Sequence, residues 1–347
     1  MRSEQRLEVD YITLCELDKC CIASWQDVLG VAVFSTDVVA ATPGNMPIAC
    51  VGTRPLGRDA AVCEIWRASG PFQTGTTGPV KYRTNGHVAF GYISLQESVN
   101  AGATGKNVAL GQAIERAYAD MFACLREIGI PNILRMWNYL PEINLITGGV
   151  ERYRQFNEGR QNAFRSFNRE IKGMVPAACA LGSEPGGPMV IYFIAGVGRG
   201  LPIENPRQIP AYDYPPQYGA CSPTFARGMV SLATRSPLLF LSGTSSIFGH
   251  ETVHVGDVVS QTRETITNIH KVIEQANRSV GTVAFSLEQM KFKVYLRRQE
   301  DLDRVVNELG ALLGSAAHIL YLKADICRSD LLVEIEAAGA STQCRAC

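Results

Sequence analysis

One order of helices and strands occurs twice in this chain, and only the second copy ends in acid. The first copy runs NVALGQAIERAYADMFACLREIGI (107–130), ILRMWNYL, VERYRQFNEGRQNAF (150–164) and MVIYFIA (189–195). The second runs GDVVSQTRETITNIHKVIEQA (256–276), KFKVYL, EDLDRVVNELGALL and LLVEIEA (331–337). Each reads as a long helix, a strand, a second helix, a hairpin and a buried apolar strand, so the fold class is α+β. Aligning the last strands sets Glu334 opposite Tyr192 and Glu336 opposite Ile194. A duplicated scaffold with carboxylates in one copy alone has specialised one site, and chemistry is expected there.

Composition limits the alternatives. With 347 residues, 46% hydrophobic and 19% charged, the chain is expected to be a globular protein with a real core. Its 33 basic and 33 acidic residues balance, without the basic excess of a nucleic-acid binder. The longest apolar run, MVIYFIAGVG, is too short to cross a bilayer, and MRSEQRLEVD holds no signal-peptide core. The expectation is a cytoplasmic protein without membrane or nucleic-acid partners. Eleven cysteines are scattered through it, and the lone C-x-x-C, Cys344 to Cys347, has no second pair for a zinc site.

Four segments follow. Residues 1–85 form a β-rich N-terminal segment, 86–197 the first repeat unit, 198–235 a linker and 236–347 the second unit with the acidic strand. The stretch 198–228 holds six prolines and three tyrosines, too kinked for regular structure, and its aromatic content points to an ordered loop over a site. In the second long helix Thr265, Ile269, Val272 and Ile273 share an inner face.

Three motifs match familiar signatures and fail on context. His250-Glu-Thr-Val-His254 is H-E-x-x-H, but its β-branched residues and flanking glycines read as a hairpin, so no metal is assigned. Gly196-x-Gly198-x-Gly200 is followed by LPIENP, where no phosphate-binding helix can start. Gly102-x-x-Gly105-Lys106 lacks P-loop spacing.

What remains is the last strand. Period two puts Leu332, Glu334 and Glu336 on one face and Val333 and Ile335 on the other. A solvated face would explain two glutamates; a covered one, suggested by Tyr192 in the sister copy, would raise a carboxyl pKa and make a proton donor.

The second copy, from LFLSGTSS and the G-D-x-x-x-Q helix start to V-E-I-E-A, resembles the reactive-intermediate deaminase (Rid, or YjgF-like) family. The arginine of Rid deaminases is absent, since His318-Ile-Leu-Tyr stands on the preceding strand. Over nearly its full length, including RTNGHVAFGYISL, RMWNYLPEIN, ERYRQFNEGRQNAF, NPRQIPAYDYPPQYG and SPTFARG, the chain is similar to the chorismatases. That resemblance implies tandem Rid-like units in a pseudo-threefold, trimer-like arrangement within a monomer. It implies cleavage of chorismate to pyruvate and 3-hydroxybenzoate, with 4-hydroxybenzoate as a second product, and no cofactor. The alternatives are a hydrolase making a dihydroxycyclohexadiene acid and a Rid-like deaminase or binding protein.

The resemblance assigns protonation of the enol-ether methylene to Glu334. Cys327, seven residues earlier, stands where the hydroxybenzoate-forming subtype carries a cysteine. Tyr153, Asn157 and Arg160 fall at i, i+4 and i+7, a face that can converge on a ligand or form a polar surface stripe with Phe156 and Phe164 turned inward. Arg227 and Tyr212 are further contacts for carboxylates or hydroxyls, and Tyr214, Tyr218 and Arg135 could serve equally.

Overall fold

The computed structural model describes residues 6–19, 25–37, 45–58, 61–96, 109–232 and 236–341. Gly102, Gly105, Lys106 and the Cys344–Cys347 pair lie outside them.

Both copies fold as helix, strand, helix and two further strands, but those two strands do not form the expected hairpin: in each copy they flank the first strand instead of pairing with each other. In the first, helix Leu110–Glu127 leads to strand Asn132–Pro141, helix Arg152–Ser166, strand Ala177–Ser183 and strand Met189–Gly196. In the second, helix Val258–Val280 leads to Lys291–Leu296, helix Leu302–Leu313, His318–Lys323 and Val333–Ala340. Asp257 starts the Val258–Val280 helix by accepting from the amides of Val259 (3.1 Å) and Ser260 (3.3 Å). Gly281, at φ 75°, ends it. Thr265, Ile269, Val272 and Ile273 are all buried along its inner face.

One strand order recurs. In the C-terminal sheet, His318–Lys323 pairs parallel with Lys291–Leu296, which pairs antiparallel with Val333–Ala340, and that with Leu238–Ser245. In the central sheet, Ala177–Ser183, Asn132–Pro141, Met189–Gly196 and Val88–Leu95 repeat this. The N-terminal segment does so without long helices, through Ile48–Val51, Val28–Phe34, Val62–Ala68 and Leu7–Thr13. Two strands before residue 86, Gln73–Thr77 and Val80–Thr84, extend the central sheet.

The three sheets turn their inner faces to one core. Phe34 and Trp66 come from the N-terminal sheet, Trp137, Tyr139 and Tyr192 from the central one, Phe240 and Tyr295 from the C-terminal one. Trp137 stacks on Tyr192 at 4.5 Å and meets Trp66 at 5.6 Å. Such pairs add about 0.5–1.5 kcal/mol each beyond area burial. The helices cover the outer faces of the central and C-terminal sheets. The two helices of the first copy touch so closely that a Cβ on Gly159 would lie 2.2 Å from the Gly111 carbonyl oxygen.

The acidic strand is covered, not solvated: Glu334 is 4% and Glu336 3% exposed. Val333 and Ile335 point to the helix side, as period two requires. Leu332 differs from the expectation. The strand begins only at Val333, and Leu332 joins Val333 and Ile335 in the helix-side core instead of sharing the glutamate face. Over residues 198–232 the linker does contain regular structure: Leu201–Ile203 pairs with Gly228–Ser231 at the sheet edge. Residues 250–254 form a hairpin arm, with strand Glu251–Thr252 paired to Ile247–Phe248 and His254 at φ 59°.

Candidate active site

The end of the acidic strand opens into a cavity of about 330 Å³. Helix Arg152–Ser166 supplies Tyr153 and Arg154, the linker Tyr214, Tyr218, Phe225 and Arg227, and the loop before the last strand Cys327 and Arg328. Gly243, Ser245 and Glu334 close its inner end.

Gly243 makes room for the acid. Pairing of Leu238–Ser245 with the last strand slips between Leu241 and Thr244, so Ser242-Gly243 bulges out of the ladder. Ser242 pins the bulge, donating to the Ala226 carbonyl (2.5 Å) and accepting from the Ala178 amide (3.0 Å). A Cβ on Gly243 would sit 2.0 Å from Glu334 Oε1, so only glycine leaves the carboxyl free there.

The two glutamates occupy opposite environments. Glu336 accepts from Arg135, Trp137 Nε1 (2.7 Å), Lys293 Nζ (2.8 Å) and Tyr295 OH (3.2 Å). Burial alone would push its carboxyl up, but Lys293 and Arg135 outweigh that and hold it below the usual range. Among the described residues Glu334 accepts a hydrogen bond from Ser245 Oγ at 3.4 Å and from no other side chain. Burial pushes Glu334 up and Glu336 adds to it. Arg135, Ser245 and Arg227 pull back only in part, leaving the carboxyl up at about 8. At neutral pH Glu334 is a protonated acid and Glu336 an anion, a division that marks acid assignments in active sites.

Cations line the opposite wall. Arg227 donates to the Ile209 carbonyl (3.0 Å) and Tyr214 OH (2.6 Å), while its buried Nε has no hydrogen-bond partner among the described residues. Arg328 lies over the Tyr218 ring at 4.0 Å and donates to the His250 carbonyl (2.8 Å), and its second terminal nitrogen, also buried, likewise has no partner among the described residues. Tyr218 donates to the same carbonyl (2.7 Å), so the H-E-x-x-H hairpin braces the cavity wall. Unpaired buried N–H groups facing a cavity suit an anionic ligand.

Of the residues singled out in the sequence, Glu334, Cys327, Tyr153 and Arg227 line the cavity, as do Tyr214 and Tyr218. Arg160 and Tyr212 are not among its lining residues. Arg160 is buried behind them, donating to Asn157 (3.1 Å) and lying 4.9 Å over Phe156, and Asn157 in turn hydrogen-bonds Tyr153. Tyr212 lies beside Glu204. The polar stripe of this helix is therefore not a surface stripe. Cys327 is pushed up to about 12 by burial and by Glu334, so it rests as a neutral thiol. Sequence reasoning passed over Arg328, Ser245 and Gly243; the Cys327-Arg328 adjacency and the S-G pattern were the available signals.

A buried carboxyl held protonated in one cavity with two guanidinium groups, each with a nitrogen left unpartnered among the described residues, suits an enzyme of α+β fold that takes a small anionic substrate. The family model described as "Chorismatase FkbO/Hyg5-like, N-terminal" matches residues 64–195. A 3-hydroxybenzoate synthase of Streptomyces hygroscopicus is 41% identical over 234 residues, covering 65% of this chain and 68% of that protein. A chorismatase of the same species is 34% identical over 284 residues, 80% of this chain and 79% of the relative. A chorismatase crystal structure matches with a TM-score of 0.87 at 31% identity, covering 98% of this chain and 100% of the other. The chain belongs to the chorismatase family.

Proposed function

We propose that Glu334 is the acid by which this enzyme cleaves chorismate to pyruvate and 3-hydroxybenzoate. Chorismate is an enol ether with two carboxylates. Proton transfer from the Glu334 carboxyl to the vinyl methylene gives an oxocarbenium ion, the ring C–O bond then breaks and pyruvate departs. To give 3-hydroxybenzoate the neighbouring ring hydroxyl closes onto the carbon that pyruvate leaves, releasing its proton; the resulting epoxide reopens at its other carbon, and the carbon that now bears oxygen loses its hydrogen as the ring becomes aromatic. Of these two protons one returns to the Glu334 carboxylate and one ends on the phenol oxygen, so no water is consumed; direct proton loss without the oxygen shift gives 4-hydroxybenzoate instead. What carries this reading is the buried Glu334 carboxyl, held up at about 8, in a cavity where Arg227 Nε and one terminal nitrogen of Arg328 have no hydrogen-bond partner among the described residues.

Arg227 and Arg328 take the substrate carboxylates, and Tyr153 orients the ring, with Arg160 acting through Asn157 and Tyr153. Cys327, a neutral thiol next to Glu334, excludes water from the ring and so favours loss of a proton over hydration. Tyr212 supports Arg227 from the Glu204 side. The recurrence of one strand order in three sheets supports a single-chain, trimer-like arrangement of two Rid-like units and a helix-poor third, acting as a monomer. No helix among the described residues is long and apolar enough to cross a membrane.

Incubation with chorismate tests the reading. Pyruvate is followed with a coupled dehydrogenase, and the ring product is identified by chromatography and its ultraviolet spectrum. Equimolar pyruvate and 3-hydroxybenzoate are expected. A dihydroxycyclohexadiene acid as main product would move the protein to the hydrolytic reading, and absence of pyruvate would refute the assignment.

A further inference from the structure

The last strand carries a second glutamate that the proposed chemistry does not use, and it is the most heavily bonded carboxylate in the inter-sheet core. Glu336 shares Lys293 with Glu64, which lies 2.5 Å from Nζ. Glu64 comes from the N-terminal sheet and also accepts from Trp66 Nε1 (2.8 Å) and Tyr192 OH (3.1 Å). Arg135 comes from the central sheet and Lys293 from the C-terminal one. Three sheets thus converge on one cluster of two anions and two cations, all at most 3% exposed. A buried cluster of this kind is a poor source of stability, since desolvating four charges offsets most of their attraction. Its position suggests another use.

Both cations bond to Glu336 and neither to Glu334. The groups facing Glu334 are few. Glu336 stands on its own strand and Tyr295 is its cross-strand partner. Arg135, Cys179, Ser245, Arg227, Tyr153 and Cys327 face it from the surrounding elements. Of these, Glu336 is the fixed negative charge and Arg135 and Arg227 are the opposing positive ones; the other charged groups lining the same cavity are Glu151, Arg154, Arg328 and Asp330. Were Arg135 and Lys293 not engaged by Glu336, their full charge would act on Glu334 and draw off its proton.

We infer that Glu336 is a positioning residue for proton donation: clamped as an anion by Arg135 and Lys293, it occupies both cations and keeps the neighbouring Glu334 in its acid form. The cluster works as an electrostatic support behind the acid and touches no substrate. This inference rests on Glu334 being the acid, and the two fail in different experiments.

The test is the pH dependence of kcat and kcat/KM for pyruvate release from chorismate. The wild-type rate is expected to fall as pH rises through about 8, where Glu334 loses its proton. In Glu336→Gln this limb should move toward acid by about one to two pH units, the effect of a unit charge about 7 Å away at an effective dielectric of about 20. Activity should persist on the acid side of the new limb. A merely structural role would lower the rate at every pH and leave the limb in place, and that result overturns the inference. If the Glu336→Gln protein does not fold, Glu64→Gln decides: it leaves Lys293 less neutralised and should move the limb the same way by less, an unmoved limb again refuting the idea. Carbon-13 titration of glutamate-labelled wild-type protein is a check without substitution. One buried carboxyl should titrate near 8 while another stays ionised at neutral pH, and finding Glu334 ionised at pH 6 would overturn the inference. Loss of pyruvate release in Glu334→Gln together with an unmoved limb in Glu336→Gln would refute this inference alone. Full turnover in Glu334→Gln would refute the assignment beneath it.

Discussion

Replacing Glu334 by Gln should remove catalysis and at the same time stabilise the protein in alkali. With its carboxyl up at about 8 against an ordinary 4.5, roughly nine-tenths of Glu334 carries a proton at pH 7. An ordinary glutamate would be about 0.3% protonated, so burial raises the acid form about 300-fold. The amide keeps the shape but cannot donate that proton, and pyruvate release should drop by roughly 10² to 10⁴. The stability effect follows from the same shift. A group whose folded value is raised contributes stability that is fully present below the unfolded value, and loses it as pH rises through the folded one. Wild-type protein therefore loses about 1.4 kcal/mol per pH unit over this interval, a cost the amide does not carry. The stability difference between Gln and wild type should grow by on the order of 3 kcal/mol from pH 5 to pH 8. Urea unfolding at the two pH values measures it, and comparing differences cancels any pH-independent effect of the amide. A difference that stays flat with pH would show that Glu334 is ionised in the folded protein, and the acid assignment would fall with it.

Gly243→Ala places a methyl 2.0 Å from Glu334 Oε1, so kcat should fall at least tenfold (about 1.4 kcal/mol) with KM little changed; unaltered kcat would mean the carboxyl does not need this position. Arg328→Met should raise KM for chorismate by about tenfold or more, the cost of a charge-assisted bond worth roughly 1.5–3 kcal/mol. Arg160→Ala should also weaken binding, through Asn157 and Tyr153, and steady-state constants equal to wild type would reduce it to a packing residue. Cys327→Ala should still release pyruvate but make less 3-hydroxybenzoate, with dihydro-diol acid or another isomer appearing by chromatography; an unchanged product profile removes Cys327 from product control.

Much of the fold was legible because it is written in local periodicity. The 3.6 period and capping residue of Val258–Val280, the period-two strand at 333–340 and the repeated order of elements are properties of neighbouring residues, and the chain needs no tertiary contact to display them. Coverage of the acidic strand was readable too, from Tyr192 at the matching place in the sister copy. The tyrosine-rich linker announced itself by composition and does line the cavity.

The sequence by itself determined that two glutamates would share one face of the last strand, and its family resemblance singled out Glu334; only the tertiary structure shows the two carboxyls held in opposite electrostatic environments. Glu334 and Glu336 have nearly the same local surroundings, and nothing within a few residues separates them. Their difference comes from Arg135, 201 residues away along the chain, from Lys293 on the adjacent strand, and from Glu64 in a sheet the repeat does not include. The placing of Arg160 behind the cavity and Arg328 in its wall has the same origin. A helix face fixes only the direction of a side chain, while the packing of another element against that face decides whether it meets ligand or core. Charge acts through space and is tuned by burial, so the chemistry of this site is set by contacts that sequence neighbours cannot reveal.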